Sequence, residues 1–596
     1  MLFLSWVFKI FLVTSFLRQF TETLAQTPSC NAADRAALLG FKAGISKDTT
    51  GILSTWTGTD CCGGDWEGIE CHPVTGRVTG LQLQGSSDRD PGIYMKGTLS
   101  PSLSKLQFLE TLVITGMQRI TGTIPQSFYN LIHLTQLVLE DNSLDGSIPS
   151  SLGQLPSLTT LSLSGNRLTG QIPGSLGNSR NLRQISLARN FLSGSIPPTF
   201  KNLLGLQSID LSFNMFTGSI PDFVGQLHNL SYISLSNNQF SGQIPISLCN
   251  LPKLLDISLN DNQITGSVPD QIANLKSLTR VSLGANQLSG RIPESIFKLE
   301  SLWYLNLSRN SFSDPLPDTS YARGDLPALS SIDLSYNNLK LGTVPRWIIG
   351  RSLADVHLAG CNLRGALPKF ANPDSLSTID LSDNYFTNGI STFFTNMSSL
   401  QKVKLSNNQL KSDITKITLP DGLSSLDLHS NQLLGSLSGI LPNNTNKFLE
   451  ALDVSHNQIS GGLPGFSEGS NLKILNIASN RIAGHIPDSI SNLVELKMLD
   501  FSRNLLTETI PTSLGTLFKL QWIDLSMNSI TGKIPTSFLG LKSLRHANFR
   551  ANRLCGEIPE GRPFNIFPAA AYAYNLCLCG KPLPACKGNK QENMGQ

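Results

Sequence analysis

One pattern returns along most of this 596-residue chain and limits its fold more than any other feature. Residues 158–173 read LTTLSLSGNRLTGQIP, a copy of LxxLxLxxNxLxGxIP. The asparagine recurs every 24 residues from Asn142 to Asn310, then with small changes of step as far as Asn552. Including an irregular first copy at 109–125, there are about 19 copies, preceded by a degenerate turn at 78–83. A constant period of this length predicts a solenoid of stacked units.

Each position of the repeat predicts a local structure. The LxL segment alternates, so its leucines should point inward and the flanking residues should face solvent. Successive copies should stack into a parallel sheet with a concave exposed face. The asparagine should satisfy backbone groups as a ladder, which Cys361 interrupts once with a small apolar residue, and GxIP should bend the chain. The predicted fold class is an α/β solenoid, a right-handed superhelix.

Composition narrows the function. Charged residues make up 15% of the chain, and the net charge of +4 comes without a run of Lys or Arg. A basic stripe is the usual mark of nucleic-acid binding, so we expect no nucleic-acid partner. The sequence contains no GxSxG, Walker, HExxH or kinase motif, so we expect no enzyme, cofactor or metal.

The two ends indicate export. Residues 1–25 are mostly apolar and end in small residues, which predicts a secretory signal peptide, with an uncleaved anchor as the alternative. After residue 30 no apolar run approaches the ~18 residues of a membrane span, and the tail at 587–596 is short and polar. We expect a soluble, extracellular protein in the cell wall, the apoplast or at the outer plasma-membrane surface.

Cysteines cluster at the two ends of the chain. The two groups are Cys30, Cys61, Cys62 and Cys71, and Cys555, Cys577, Cys579 and Cys586. Such clusters predict disulfide-stapled caps in an oxidising compartment rather than zinc sites, although spacing alone leaves 105 pairings open. Cys249 and Cys361 lie in distant repeats and should be free, buried thiols.

These residues resemble the plant extracellular leucine-rich-repeat family, in which GxIP is the distinctive segment. The stretch from Cys30 to Cys71, with Trp56 and Trp66, is similar to its N-terminal cap, and Leu554 to Cys586 is similar to its C-terminal cap. The resemblance implies a cap at 26–80, repeats at 81–554 and a cap at 555–586. It also implies the disulfides Cys30–Cys61, Cys62–Cys71, Cys555–Cys577 and Cys579–Cys586.

Within the family, the irregular first repeat resembles two secreted groups. These are the polygalacturonase-inhibiting proteins and the DNA-damage-repair/toleration leucine-rich-repeat proteins. Both have about half as many repeats as this chain, whose repeat number is more similar to that of receptor-like proteins. Those normally add a transmembrane helix, and receptor kinases add a kinase domain, neither of which is found in this sequence.

The residues flanking LxL offer the only broad surface without a structural role. In repeats four to ten, bulky side chains replace the small serines and threonines of their neighbours. Aromatic residues and arginine are common in binding sites, although scattered exposed aromatics are also normal. The predicted ligand-binding residues on the concave face are Arg183, Arg189, Phe213, Tyr232, Arg280, Trp303, Tyr304, Arg309 and Tyr336.

Other features have two interpretations each. A second group comprises Lys402, Lys404, Lys473, Lys497, Arg503, Trp522, Arg545, His546 and Arg550. It could bind an anionic polysaccharide, or it could form a solvated face in which aspartates alternate with the basic residues. Asp427, His429, Asp453 and His456 should gather on adjacent strands as ordinary surface groups rather than as a metal or catalytic site. The predicted N-glycosylation sites are Asn229, Asn306, Asn396 and Asn443, and 323–325 reads RGD, which we interpret as chance.

The favoured function is a secreted, non-catalytic recognition protein that binds a peptide, protein or cell-wall ligand on the concave face, in signalling or defence. Its expected partners are an extracellular peptide, protein or wall polysaccharide, and a receptor kinase. One alternative is an inhibitor of microbial wall-degrading enzymes. A third is a structural or adhesive wall protein.

Overall fold

A computed structural model describes residues 29–85, 92–313, 316, 326–441 and 447–586. The expected signal peptide, the polar tail and the RGD tripeptide lie outside the described residues. The chain divides into two compact units. Unit 1 comprises Met1–Leu288 and Pro293–Ser301, and unit 2 comprises Ser289–Ile292 and Leu302–Gln596.

The N-terminal cap of unit 1 begins with helix α1, Ala32–Ala43. The Asn31 side chain caps it by accepting two backbone N–H groups of the first turn. Asp34, in the first turn of this helix, lies fully buried and accepts two hydrogen bonds from Arg77, at 2.8 and 2.9 Å. The backbone N–H of Val78 donates to the same carboxylate, which is therefore well satisfied.

The rest of the cap packs around two stacked indoles. The rings of Trp56 and Trp66 lie 5.4 Å apart, nearly parallel, and each indole N–H donates to a backbone carbonyl. The short elements of the cap are the 3₁₀ helix Ile52–Thr55 and the strands Ile45–Asp48 and Ile69–Cys71.

The main sheet of unit 1, here called its repeat sheet, contains one strand from each repeat. Its strands are Ile69–Cys71, Val78–Gln84, Thr111–Thr115, Gln136–Val138, Thr160–Ser162, Gln184–Ser186, Ser208–Asp210, Tyr232–Ser234, Asp256–Ser258 and Arg280–Ser282. All neighbours are parallel except the first pair. From Gln136–Val138 onward, the central residue of each strand is buried, as the LxL alternation predicts.

The asparagine ladder is present in unit 1. The Asn190 amide donates to the carbonyls of Leu163, Leu187 and Ala188, and its oxygen accepts the N–H of Leu168. The same pattern recurs from Asn166 to Asn286. Each ladder side chain therefore ties together backbone groups of its own repeat and the preceding one.

The return path of unit 1 holds features that the sequence analysis did not predict. A second parallel arrangement, here called the flank sheet, contains Met95–Thr98, Gln118–Gly122, Ser143–Leu144, Thr169–Gln171, Phe191–Gly194, Met215–Ser219, Gln239–Gln243, Gln263–Gly266 and Gln287–Gly290. The helical segments are 3₁₀ rather than α: Pro101–Lys105, Gln126–Asn130, Ser150–Gln154, Gly174–Asn178, Pro198–Asn202, Asp222–Gln226, Ile246–Asn250, Asp270–Asn274 and Glu294–Lys298. From the second onward, the proline of GxIP immediately precedes each one.

Unit 2 repeats the plan with more variation. Its repeat sheet contains Tyr304–Asn306, Ser331–Asp333, Asp355–His357, Thr378–Asp380, Lys402–Lys404, Ser425–Asp427, Ala451–Asp453, Ile474–Asn476, Met498–Asp500, Trp522–Asp524 and His546–Asn548. Its flank strands are Ser311–Phe312, Arg364–Ala366, Tyr385–Asn388, Ser460–Gly461, Arg481–Gly484, Leu505–Leu506, Thr531–Gly532, Arg553–Glu557 and Cys577–Cys579. Unit 2 also contains two short α-helices, α2 at Arg346–Ile349 and α3 at Ile390–Phe393. Its 3₁₀ segments are Pro373–Ser375, Leu437–Gly439, Asp488–Asn492, Thr512–Thr516, Thr536–Gly540, Phe564–Ile566 and Ala569–Tyr572.

Two positions modify the ladder in unit 2. Cys361 occupies its slot as a donor rather than as an inert apolar side chain, because its thiol contacts the carbonyl of Leu334 at 3.4 Å. Asn575, which the sequence count had missed, extends the ladder into the C-terminal cap. Its amide donates to Phe549 and Tyr572, and its oxygen accepts the N–H of Leu554.

Disulfides close both caps. They join Cys30 to Cys61, Cys62 to Cys71, Cys555 to Cys577 and Cys579 to Cys586, the pairs that the family resemblance implied. Cys249 and Cys361 are free and buried. Burial raises the pKa of the Cys249 thiol to about 11 and that of Cys361 to about 12, so both are unreactive thiols at neutral pH.

Candidate functional site

The repeat geometry sorts exposed side chains into rows, named here by their distance before the ladder asparagine. The edge row lies seven residues before it, the first row six and the second row four, while the turn row is the residue immediately before it. The first and second rows flank the buried central residue and share one face of the sheet. Residues of the turn row adopt a left-handed backbone, with φ of 53° at Phe213 and 55° at Tyr336.

The nine predicted ligand-binding residues fall into three of these rows. Arg183 and Trp303 lie in the edge row, Tyr232, Arg280 and Tyr304 in the first row, and Arg189, Phe213, Arg309 and Tyr336 in the turn row. Unit 1 contains five of them and unit 2 contains four. Phe213, Trp303 and Tyr336 are 54%, 43% and 42% exposed, so these rings are available to a ligand.

In unit 1 two of the three arginines of this set lie beside carboxylates. Arg189 and Asp141, in the turn rows of different repeats, form an ion pair of 3.1 Å between exposed side chains. Arg280 lies 3.8 Å from Asp256 on the neighbouring strand. Burial, followed by the charge of Asp210, raises the pKa of Tyr232, which therefore stays a neutral donor at physiological pH.

Unit 1 also holds a groove that the sequence analysis missed. Its volume is about 1070 Å³, and its lining is rich in amide and small side chains from the first repeats: Gln82, Gln84, Val113, Thr115, Gln118, Gln136, Val138, Glu140, Asp141 and Arg189. Only Arg189 belongs to the predicted set. Glutamines at alternate positions of neighbouring strands were the available signal, but the prediction of ligand-binding residues relied on aromatic and arginine side chains.

In unit 2 two of the predicted residues, Arg309 and Tyr336, belong to a connected network. The Arg309 guanidinium lies 5.0 Å from the ring centre of Tyr336, whose hydroxyl donates to Asp383 at 2.6 Å. The Asn407 amide donates to the same carboxylate at 3.0 Å. The hydrogen bond from the Tyr336 hydroxyl to Asp383, together with burial, raises the pKa of Tyr336 to about 12.

A glycine makes room for that network. Gly360 occupies the turn row between the repeats of Tyr336 and Asp383, with φ of 63°. A Cβ atom there would meet the Tyr336 ring at 2.8 Å, so a larger residue would displace the ring. Asp383, Asn407 and Gly360 were missed from sequence because the turn row had not been recognised as a unit.

The aromatic pair of the same unit is also in place. The rings of Trp303 and Tyr304 lie 5.6 Å apart and tilted. On the same strand as Tyr304, Asn306 accepts the backbone N–H of Ser308 at 2.9 Å and its hydroxyl at 2.7 Å. Trp303 and Tyr304 therefore present an exposed aromatic surface with a polar group beside it.

The predicted glycosylation sites differ in surroundings. Asn306 lies on a strand and its side-chain oxygen is engaged by Ser308, whereas Asn396 is exposed. The Asn229 amide donates to a backbone carbonyl at 2.9 Å, and Asn443 lies outside the described residues. All four stay predictions, and the geometry favours Asn396 as an acceptor and disfavours Asn306.

Three of the four residues predicted to gather in unit 2, Asp427, His429 and Asp453, have side-chain atoms within 4.8 Å of one another. The fourth, His456, lies in the turn row and is not part of this cluster. His429 Nδ1 contacts Asp427 at 2.7 Å, and Ser406 donates to the other oxygen of that carboxylate. Asp453 accepts Asn476 through one oxygen and a serine through the other. Because internal hydrogen bonds already engage these oxygens, the geometry favours surface groups over a cation site.

Three features together define the class of this protein, a capped repeat solenoid. They are the stacked parallel strands, the asparagine ladder and the caps closed by disulfides. Family models described as leucine rich repeat N-terminal domain and leucine rich repeat match residues 31–72 and 108–168, 180–240, 252–312 and 470–530. A further leucine rich repeat model matches 375–397 and 448–469. The chain belongs to the leucine-rich-repeat family, and its relatives are plant extracellular members.

Solved structures of plant receptor ectodomains are similar to this chain. The ectodomain of the Arabidopsis thaliana receptor kinase GASSHO1/SCHENGEN3, in complex with CASPARIAN STRIP INTEGRITY FACTOR 2, is 29% identical with a TM-score of 0.72, covering 88% of this chain and 65% of that one. The plant peptide hormone receptor RGFR1, in complex with RGF2, is 30% identical with a TM-score of 0.62, covering 81% of each chain.

A polygalacturonase inhibitor of Vitis vinifera is 33% identical over 136 residues, which is 22% of this chain. The chain spans 38% of the length of that relative. Among the described residues, no helix combines the length and apolar character needed to cross a membrane.

Proposed function

We propose that the chain is a secreted, non-catalytic recognition protein of the plant cell surface or wall that binds a peptide or protein ligand through exposed rows of its repeat sheets. The network of Arg309, Tyr336, Asp383 and Asn407 carries this proposal. It holds a cation and a ring in fixed positions, so a ligand would meet groups that are already ordered.

The surface of unit 2 offers the contacts that a peptide needs. Trp303 and Tyr336 supply exposed rings, and Arg309 supplies a cation that can bind a carboxylate. The similar ectodomains, which were solved in complex with CASPARIAN STRIP INTEGRITY FACTOR 2 and with RGF2, support binding by this fold. The proposed signalling partner is a receptor kinase.

Affinity capture from apoplastic fluid tests the proposal. The bait is the purified protein, compared with Trp303→Ala, Tyr336→Phe and the control Tyr129→Ala, an exposed ring on a 3₁₀ helix. We expect a peptide or protein that the first two variants lose by about tenfold and the control retains. Equal capture by all four proteins would contradict a site in these rows.

The similarity to the Vitis vinifera inhibitor favours a second candidate, inhibition of a microbial wall-degrading enzyme. Polygalacturonase activity measured with and without the purified protein separates the two. Inhibition that Trp303→Ala and Tyr336→Phe abolish would assign the same rows to enzyme binding. Unchanged enzyme activity would contradict inhibition of that enzyme.

A further inference from the structure

The last repeats of unit 2 carry an apolar first row. Ile474, Met498, Trp522 and His546 occupy this row on four adjacent strands and are paired in register. Ile474 and Trp522 are each 39% exposed. Most earlier strands of the unit place a polar residue there, as at Asp355, Lys402 and Ser425, so the row departs from the local rule.

The two rings of this row form one block. The Trp522 indole and the His546 imidazole are nearly parallel, with centres 3.5 Å apart. One face of the indole is therefore covered by the imidazole. Met498 is the register partner on the opposite side. The row presents ring edges and aliphatic groups rather than an open aromatic face.

A basic edge borders the row on one side. Lys473, Lys497 and Arg545 lie in the edge row of the same repeats. Lys473 pairs with Glu450 at 2.7 Å. In the part of the chain that the structure describes, Lys497 and Arg545 make no ion pair within 4.0 Å, and both are exposed.

An acidic edge borders the row on the other side. Asp453, Asp500 and Asp524 lie in the second row, and Asp500 and Asp524 are register partners on adjacent strands. Like charges side by side are unfavourable in a sheet unless a cation relieves them. Burial, followed by the charges of Asp524 and Asp453, raises the pKa of Asp500.

We infer that these three rows form a second docking surface, which receives an extended peptide segment with an apolar centre, an acidic side chain toward Lys497 and Arg545, and a basic side chain toward Asp500 and Asp524. Four strands at ~4.8 Å span about 14 Å, and the rows are about 10 Å wide. That area fits four or five residues of an extended chain.

The same geometry disfavours an anionic polysaccharide, one interpretation of the basic residues from sequence. Of these basic residues, Lys473, Lys497 and Arg545 form one edge of the row, and the aspartates of the other edge would repel a polyanion. A sugar ring would also need an open indole face, which His546 covers. The peptide is therefore the occupant that the charges and the stacking favour.

A random heptapeptide library displayed on phage and panned on the purified protein tests the inference. We expect enriched peptides to combine an apolar residue with a basic and an acidic one. Binding of the enriched peptides should fall about tenfold in Trp522→Ala, as expected for a central contact, and severalfold in Asp524→Asn. Phe518→Ala, a 64% exposed ring of the same repeat outside these rows, and Glu508→Gln are the matched controls and should bind normally.

Two results would overturn the inference. One is the absence of enriched peptides, or enrichment that neither Trp522→Ala nor Asp524→Asn weakens. The other is binding of oligogalacturonate that Trp522→Ala abolishes. If Trp522→Ala lowers the melting temperature, the isosteric Asp524→Asn carries the test alone. Tyr336→Phe should leave this binding unchanged, so failure here is distinct from failure of the proposed function.

Discussion

The second rows of the two units differ in chemistry on a shared backbone plan. In unit 1 the row reads Val138, Ser162, Ser186, Asp210, Ser234, Ser258 and Ser282. In unit 2 it reads Asn306, Asp333, His357, Asp380, Lys404, Asp427, Asp453, Asn476, Asp500, Asp524 and Asn548. Asp210 accepts the N–H and hydroxyl of the serine two residues later, as Asp453 does. An aspartate therefore costs little locally, and its charge is a property that each repeat can change independently.

The two ends of the molecule should show the largest contrast. Asp34→Asn in the cap of unit 1 leaves the Arg77 cation without its buried partner, and we expect a loss of about 3–5 kcal/mol in unfolding free energy. Tyr572→Phe in the cap of unit 2 removes one hydrogen bond to the carbonyl of Phe564, and we expect a loss of about 1 kcal/mol in unfolding free energy. Urea unfolding with hydrogen exchange at each cap measures both losses. Comparable losses would refute the contrast.

The ladder should respond less strongly, and unequally. Asn190→Ala in unit 1 leaves the N–H of Leu168 without its acceptor and removes one of two donors from each of three carbonyls, so we expect a loss of about 2–3 kcal/mol. Cys361→Ala in unit 2 removes only a weak thiol donor and should cost about 1 kcal/mol. Thermal unfolding of both variants checks the order. A larger loss for Cys361→Ala would contradict the account of that slot.

The turn-row network of unit 2 has a pH signature. Tyr336→Phe removes the hydrogen bond to Asp383, so the free energy of unfolding at neutral pH should fall by about 1 kcal/mol. Because the folded pKa of Tyr336 is raised to about 12, the bond stabilises the fold fully below the ordinary tyrosine pKa and is lost as pH rises toward 12. Phenolate absorbance of wild type minus variant should show one tyrosine ionising near pH 12. Ionisation near pH 10 would mean that the bond is absent.

The smallest effect should come from the acidic second row. Asp500→Asn removes a carboxylate whose raised pKa makes its ionised form unfavourable, so unfolding free energy at pH 7 should rise by about 0.5 kcal/mol. The gain should vanish at low pH, where Asp500 is protonated in the folded state. Asp210→Asn is the control in unit 1, because its register partners are Ser186 and Ser234. Equal responses of the two variants would remove the proposed like-charge repulsion.

Sequence periodicity predicted the part of the fold that depends on a constant step. The buried centres of the repeat strands and the asparagine ladder follow from spacing and alternation. So does the degenerate repeat at 78–83, which forms a strand of the repeat sheet. The flank sheet was missed because its residues are mostly Ser, Thr, Gln and Gly, which lack an alternating apolar pattern. Asn575 was missed because the cap around it departs from the leucine consensus.

The candidate site was predicted only as single residues. The register placed Arg309 and Tyr336 on the exposed side, but their connection depends on a left-handed turn and on Gly360, and neither appears in an alternation pattern. The apolar first row around Trp522 was likewise grouped with distant lysines by charge. Contacts between rows depend on side-chain direction, which one sequence does not specify.

The left-handed turn row has a consequence for engineering. Bulky residues such as Phe213 and Tyr336 hold a backbone conformation that glycine and asparagine adopt more easily, at a cost of about 1–2 kcal/mol for a non-glycine residue. Replacing one of them by glycine should make the scaffold more robust while erasing a contact. The residue chosen at each turn-row position therefore sets the balance between ligand affinity and stability, independently in each repeat.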